Sequence, residues 1–429
     1  MILARGRWAV MAAGVLFLSA GPAFVPQAHA QVDLLSPAVV SVLADVRLSA
    51  ADGEPSWFQE GFGKTRYGGT AAGRDWTTRL QLASADLIWR PAFAFDLNGY
   101  VDAIYQPTQE DHPVDLQEAF LRYKPLPRAD GLGWQARAGL MYPPVSMEND
   151  GPGWTPTRTI TPSAINSWIG EEGKTVAAEG ELTKRWADQE VSAGGAIFID
   201  DDTSGTLLSW RGWMFSDVRS TLGGDTGIPP VPAAHQPFRT QGYDSRAIVE
   251  LDGRPGVYAW GEWRSPYGVT ANVFYYDNAG DRTTMKDGQW SWDTRFWNLG
   301  LRWAPDAETE VLAQAMTGRT VTGFLTSHGW RVDADFDAAY VLVSRKLGRD
   351  LVTGRVDGFD VRDATFQALD NNDERGWAVT GDWRHPLGEH LAVLVEVLHV
   401  QSDQPSRAYV SDAPRQTQTM VQTALKLAF

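Results

Sequence analysis

Residues 143–173, PPVSMENDGPGWTPTRTITPSAINSWIGEEG, concentrate the side chains best able to act on a solute. Glu148, Asp150, Glu171 and Glu172 stand against Arg158, with Lys174 just beyond. Arg79, Arg122, Lys124 and Arg137 recur at alternate positions of runs elsewhere in the chain. Loop acids facing wall cations would set a transverse field across a narrow wet opening, orienting polar solutes and admitting both signs. That chemistry is electrostatic filtering, and bond-making finds little support. His112, His235, His328, His385, His390 and His399 fall in no Ser- or Asp-containing catalytic motif. There is no cysteine, hence no Cys/His zinc spacing. The Gly-rich pieces lack the Lys-Ser/Thr of a phosphate loop. No cofactor and no metal are expected. Acid clusters at 200–202, 277–281 and 370–374 could attract calcium, but none matches the twelve-residue calcium loop.

The elements that must hold these residues are strands. Residues 416–429, QTQTMVQTALKLAF, alternate to the last residue. Thr419, Val421, Thr423, Leu425, Leu427 and Phe429 share one face, and Gln418, Met420, Gln422, Ala424 and Lys426 the other. Val42, Ala44, Val46 and Leu48 likewise oppose Asp45, Arg47 and Ser49. The run 93–105 alternates most clearly, 77–89 carries a phase slip near Ser84 that suggests a bulge, and 338–345 is expected to be a strand. About sixteen such runs occur, an even number, as bacterial membrane barrels require. Short turns (90–91, 265–268, 304–308, 348–350, 385–389) interleave with long polar loops (51–76, 277–292, 323–335, 362–374, 402–415). Trp-Arg-Pro pieces at 89–91, 263–266, 302–305 and 383–386 mark the short-turn ends, where Trp anchors at an interface and Pro stops pairing. The expected fold is all-β: a transmembrane antiparallel β-barrel of about sixteen strands, whose segment after the fifth strand, 143–173, is too long and Pro-rich for a hairpin. Residues 200–253 read as a long extracellular loop, with Ser245–Leu251 a folded piece of it and not a wall strand.

Residues 1–30 read as a signal peptide: Arg5 and Arg7, an apolar core from Trp8 to Gly21, and a cleavage site after Ala30. The apolar core is short of the roughly 20 residues a spanning helix needs, and no second such run follows. Removing the two positive charges of Arg5 and Arg7 takes the formal charge from −15 to −17, which argues against nucleic acid as a partner. Nineteen Trp and forty-two Gly at low mean hydropathy suit a barrel with aromatic girdles and alternating faces. Residues 31–429 contain no low-complexity linker and read as one domain.

The strand ending on Phe429 resembles the C-terminal signal by which Gram-negative outer-membrane proteins are delivered for insertion. The exit GLMYPPVSMEN at 139–149 resembles a pattern of the phosphate-selective porin O/P family: a Gly-led strand, a Pro, then Ser-x-Glu-Asn. Residues 159–172 are similar to porin-like outer-membrane proteins of this kind. The resemblance implies a homotrimer of sixteen-stranded barrels in outer-membrane lipid, passing small anions, with the segment after strand five narrowing the channel. The inward wall positions are mixed. Arg79, Arg122, Lys124, Arg137, Arg302, Arg355 and Arg384 share them with Asp96, Asp102, Glu118, Glu179, Glu181, Glu262 and Asp382. The expectation is therefore a porin for passive diffusion of small polar or charged solutes. The alternatives are a structural or adhesive barrel with a plugged lumen, and a barrel-embedded hydrolase.

Overall fold

A computed structural model describes residues 33–429, apart from 60, 71–74, 110, 233–240, 328, 330 and 366–368. The signal segment, Ala30, His235 and His328 lie outside the described residues. Sixteen antiparallel strands close into one barrel in chain order. They are β1 (Val40–Ala51), β2 (Thr77–Trp89), β3 (Leu97–Tyr105), β4 (Val114–Tyr123), β5 (Leu132–Met141), β6 (Thr175–Trp186), β7 (Gln189–Ile199) and β8 (Gly256–Arg264). There follow β9 (Val269–Asp277), β10 (Asp293–Trp303), β11 (Thr309–Thr322), β12 (Val332–Leu347), β13 (Asp350–Asp363), β14 (Glu374–Pro386), β15 (Leu391–Asp403) and β16 (Arg415–Ala428). The last strand pairs with the first from Leu43–Ala428 to Ala51–Met420. Phe429 and Val42 exchange backbone hydrogen bonds of 3.0 Å, which seals the seam. Among the described residues no helix is long and apolar enough to cross a membrane.

The outward face is apolar. Leu80, Leu121, Leu182, Ile197, Leu299, Val341 and Val356 are exposed on it. Trp263, Trp303 and Trp383 ring the short-turn end, and Trp297 and Trp377 ring the other, as interface girdles do. The phase slip near Ser84 is a bulge: the register shifts between Asp45 and Val46 of β1, leaving Ala83 and Ser84 both turned in. A second bulge, between Asp102 and Ala103 of β3, puts Gln117 inside as well as Glu118. Simple alternation had placed Gln117 on the lipid face. The third strand starts at Leu97, because Phe93 and Ala94 are tied back to the Leu97 carbonyl in a turn. Strand β12 begins at Val332, six residues before the expected start. Its upper outward positions, Asp335 and Asp337, look like loop in sequence, yet they are matched by Arg319 and Arg362 on neighbouring strands. Ser245 belongs to a two-residue ladder with Thr226, outside the wall.

The core of this protein sits inside the barrel. Inward residues of β8 to β16, among them Tyr258, Phe274, Phe296, Phe336, Tyr340 and Phe359, are buried in one apolar cluster. Its middle is Trp168, whose ring meets Phe296 at 5.4 Å, Phe336 at 5.3 Å and Trp213 at 6.0 Å. The expected uniformly wet lumen is thus replaced, on this side, by packed aromatic side chains. The inward face of β1 to β4 is instead polar: Asp45, Arg47, Asp86, Asp102, Gln117 and Glu118.

Gly139 explains the glycine that leads the strand-five exit. Its φ is +139°, and a Cβ there would collide with the Ala119 carbonyl oxygen. Replacing Gly139 by Ala is expected to destabilise the barrel by about 1–3 kcal/mol. A lowered denaturant midpoint in detergent checks this, and an unchanged midpoint refutes it.

Candidate functional site

The segment after β5 leaves the wall because Pro143 and Pro144 cannot donate to a ladder. Tyr142 sets its direction: its backbone N–H donates to Glu118 Oε1 (3.1 Å) and its hydroxyl to the Gly170 carbonyl (2.8 Å). The segment then crosses to the opposite wall. The Met147 N–H donates to Gln314 on β11 (3.1 Å). Ile160 and Thr161 donate to Glu396 on β15 at 2.7 and 3.0 Å. Gln422 on β16 donates to Thr161 Oγ1 (2.8 Å).

Glu148 and Arg355 form the hub of this crossing. Both side chains are fully buried, 2.7 Å apart. Arg355, on β13, also donates to Asp357 and to the carbonyls of Thr161 and Pro162. Glu148 accepts the Ser163 N–H and the Asn166 amide, each at 2.9 Å. Every polar atom that this charge pair brings inside is thus matched. Nearer the short-turn end, Arg158 bridges Asp150 (3.0 Å) and Glu310 (2.5 Å), and Arg302 reaches Asp150 at 2.9 Å. Burial alone would raise the Asp150 carboxyl, but Arg158's hydrogen bonds and charge outweigh it and hold it below the usual range.

Helix α1 (Ala164–Glu172) starts at Ser163, whose Oγ accepts the Asn166 N–H. All nine of its residues are buried. It ends on two acids, which its own dipole disfavours. A second segment supplies their partners. Glu172 accepts from Trp168 Nε1 (2.8 Å) and from the N–H groups of Gly205 (3.1 Å) and Leu207 (2.9 Å). Glu171 pairs with Arg211 at 2.5 Å, both almost wholly buried. Burial pushes the Glu172 carboxyl up to about 7, against those hydrogen bonds.

So the stretch expected outside, 200–253, sends residues 201–221 into the barrel. The short helix α2 (Thr206–Trp210) is entirely buried. Asp217 binds Arg47 of β1 (2.8 Å) and Arg66 of the first loop (3.0 Å). Arg219 binds Asp86 of β2 (2.7 Å). Lys174 donates to the Ser220 carbonyl and sits 4.3 Å from the Tyr142 ring centre. Burial drives its amine down to about 7. The first loop enters too: Lys64 pairs with Glu374 at the head of β14 (2.5 Å). Above these contacts Phe62, Leu207, Trp210, Ile228, Trp290 and Trp292 pack together across the long-loop end. The physical reason for the inward turn of all three loops is this shared burial, together with charges that find partners only on the inner wall.

The nine residues singled out in sequence do not form one ring. Glu148, Asp150 and Arg158 lie together in the crossing segment. Glu171 and Glu172 face the second segment, away from the open vestibule. Arg137 makes a two-point bond to Glu179 on β6, 2.6 and 2.7 Å. Arg122 and Lys124 are exposed at the short-turn end, and Arg79 pairs in register with Ser49 near the long-loop end. Sequence reading passed over Arg66, Asp217, Arg219, Gln314 and Glu396. The usable signal was Gln314 in VLAQAM and Glu396 in LVEVLH, each a lone polar residue inside an apolar run.

Other chemistry has small footing. His385 Nδ1 meets Asp350 at 2.5 Å, but this pair faces outward beside Trp383 at the short-turn rim. Asp202, Glu250 and Asp252 converge within ligand distance of one another, and Asp202 Oδ2 already accepts the N–H groups of Leu251 and Asp252. Two carboxylates stand out: both oxygens of Asp102, beside Gly153, and both oxygens of Asp382 on β14 are buried with no hydrogen-bond partner among the described residues.

No family model matches the chain, and no curated protein matches it. Solved structures do match in fold. The anion-selective porin from Comamonas acidovorans superposes with a TM-score of 0.52 at 11% identity, covering 91% of this chain and 99% of that one. The outer-membrane channel DcaP of Acinetobacter baumannii gives 0.51 at 10% identity, covering 92% and 99%. At such identities the likeness is one of fold alone, a closed antiparallel β-barrel.

Replacing Arg355 with Gln is expected to release the crossing segment, since breaking a buried pair leaves Glu148 uncompensated at a cost of about 3–5 kcal/mol. Trypsin should then cut after Arg158 in detergent micelles, where the parent protein resists; equal resistance would refute the hub.

Glu172 gives a signed pH effect. Its carboxyl titrates near 4.5 when unfolded and about 7 when folded, so its contribution is fully present below pH 4.5 and is lost as pH rises through 7. Glu172→Gln is expected to flatten that fall in denaturant midpoint between pH 4.5 and 7; a parallel curve would refute the assignment.

Proposed function

We propose that this protein is an outer-membrane porin, a passive channel for small polar or charged solutes, whose water path follows the polar flank of the lumen. The observation that carries the reading is the two-sided interior. Strands β8 to β13 line one side with a packed aromatic core, while β1 to β4, together with Asp382 of β14 and Glu396 of β15, line the other with charges. Asp102 on that flank has no hydrogen-bond partner among the described residues, and a buried carboxylate of this kind is held by water. The crossing segment 143–173 narrows the path, with Asp150, Arg158 and Arg302 at its short-turn face.

The finer readings rest on the sequence resemblance. A clean basic ladder, as phosphate selectivity needs, is not what supports this channel: Arg137, Arg158, Arg302 and Arg355 are each paired with acids. We therefore propose mixed-sign passage through an eyelet to which Glu148, Asp150, Arg158, Glu171 and Glu172 contribute as field-setting or positioning groups. Arg79, Arg122, Lys124 and Arg137 act on the approaches. The expected assembly is a homotrimer in Gram-negative outer-membrane lipid, with cleavage after Ala30 and no catalytic activity. Heat-dependent gel mobility and N-terminal sequencing of the membrane fraction test assembly and cleavage.

One observation favours the structural alternative. The aromatic cluster of Phe62, Trp210, Trp290 and Trp292 covers the long-loop end, as a plug would. Planar-bilayer recording separates the two. A channel gives stepwise conductance, and Asp102→Asn shifts the reversal potential in a salt gradient toward the anion limit by several millivolts. A barrel that inserts and stays silent belongs to the plugged class.

A further inference from the structure

A cavity of about 250 Å³ lies at the short-turn end of the lumen, between the crossing segment and the wall of β1, β2, β14, β15 and β16. The exposed turn residues Gly388 and Glu389 form part of its rim, so it is reached from that side. Its volume is below the roughly 300–1,000 Å³ of sites that enclose drug-sized ligands, which suits a single ring or a short chain.

Charge in this cavity is only apparently balanced. Asp45, Asp86 and Asp217 line it, yet each is already bound. Arg47 takes Asp45 (2.5 Å) and Asp217 (2.8 Å), Arg66 takes Asp217 (3.0 Å), and Arg219 takes Asp86 (2.7 Å). These three acids are matched by three buried guanidinium groups; a fourth, Glu389, sits exposed on the rim. Two further cations line the same space with donors to spare. Arg384 spends one N–H on the Thr157 carbonyl (3.0 Å). Lys426 stands 3.9 Å from its nearest paired carboxylate oxygen, on Asp45, beyond hydrogen-bond length. Asp382 is two residues from Arg384 along β14 but does not line the cavity. The facing crossing segment offers Trp154, Pro156 and Ile160 as apolar surface, interleaved with Thr155 and Thr157.

We infer that this cavity binds an amphipathic organic anion, with its carboxylate on Arg384 and Lys426 and a small flat apolar body against Trp154, Pro156 and Ile160. The guanidinium and ammonium groups supply charge-assisted donors, and the tryptophan and proline surfaces take the body out of water. The inference deepens the channel reading, on which it rests, by naming a solute class held at the short-turn end of the path.

The test uses the full-length protein in detergent, titrated calorimetrically with benzoate, benzamide and benzylamine, which share a ring and differ in charge. Benzoate is expected to bind about tenfold or more tightly than the other two, as loss of a charged hydrogen bond implies. The double variant Arg384→Gln with Lys426→Gln should lose that preference. Arg384→Lys, which keeps the charge, should retain most of it, and unchanged heat-dependent gel mobility certifies that each variant is folded. Equal binding of the three compounds, a preference for benzylamine, or an unaffected double variant overturns the site. Absence of benzoate binding in a protein that conducts sinks this inference and leaves the channel standing. Benzoate binding in a barrel that never conducts removes the channel and, with it, the role of the anion as a transported solute.

Discussion

An unpaired backbone N–H or C=O in hydrocarbon costs several kcal/mol, and that penalty governs this molecule. It forces the last strand onto the first, through the paired bonds of Phe429 and Val42. Closure fixes an outward face that must be apolar and leaves an inward face under no such demand. The inward face is therefore free to differ from strand to strand, and here it does. Along β12, Ala334, Phe336, Ala338, Tyr340 and Leu342 point in and are buried, while Val341 and Val343 point out and are exposed. Both faces of one strand are apolar because they meet two different neighbours, lipid and folded loop.

Filling a barrel with loops brings many backbone and charged groups out of water. The wall answers with side chains placed opposite each entry. Arg355 takes Glu148, Glu396 takes two N–H groups, Gln314 takes a third, and Glu374 takes Lys64 and the Trp213 N–H. Buried pairs of this type contribute little net stability compared with apolar substitutes, because desolvation offsets attraction. Their effect is on register: each pair is satisfied in one arrangement of segment and wall, and slipping by one residue would orphan both partners. The aromatic contacts of Trp168 supply the cohesion that the ion pairs do not.

The two flanks of the lumen divide the work. The aromatic side anchors helix α1 and the second segment. The charged side, from Asp45 and Arg47 round to Glu118, holds buried carboxylates and guanidinium groups, most of them paired with one another or with residues 217–219. Because all three inward loops contribute to both flanks, the width of the path and the stability of the fold are coupled. A variant that loosens the core also moves the wall of the path.

Alternation in residues 416–429 and its relatives was enough to establish the strands, their even number, their lipid faces and the long-and-short loop rhythm. These follow from a period of two and a membrane plane, both local in sequence. That 143–173 is no hairpin was legible too, from its prolines and its length; its inward course was implied only by its resemblance to the inward-folded loop of porins. The partners of its charges were not legible. Glu171 and Glu172 read as solute-facing acids, and the structure gives them to Arg211 and to the start of α2, some thirty to forty residues on. Residues 200–253 read as an outer loop because Gly, Pro and Asp are common to outer loops and to packed inner segments. The bulges at Ser84 and Gln117 decided which side chains face in, and only the first left a trace in the pattern. What tertiary structure alone decided is who meets whom across the lumen. Those contacts join residues hundreds of positions apart, such as Arg47 with Gln422, and depend on the closed circumference, which no local pattern encodes.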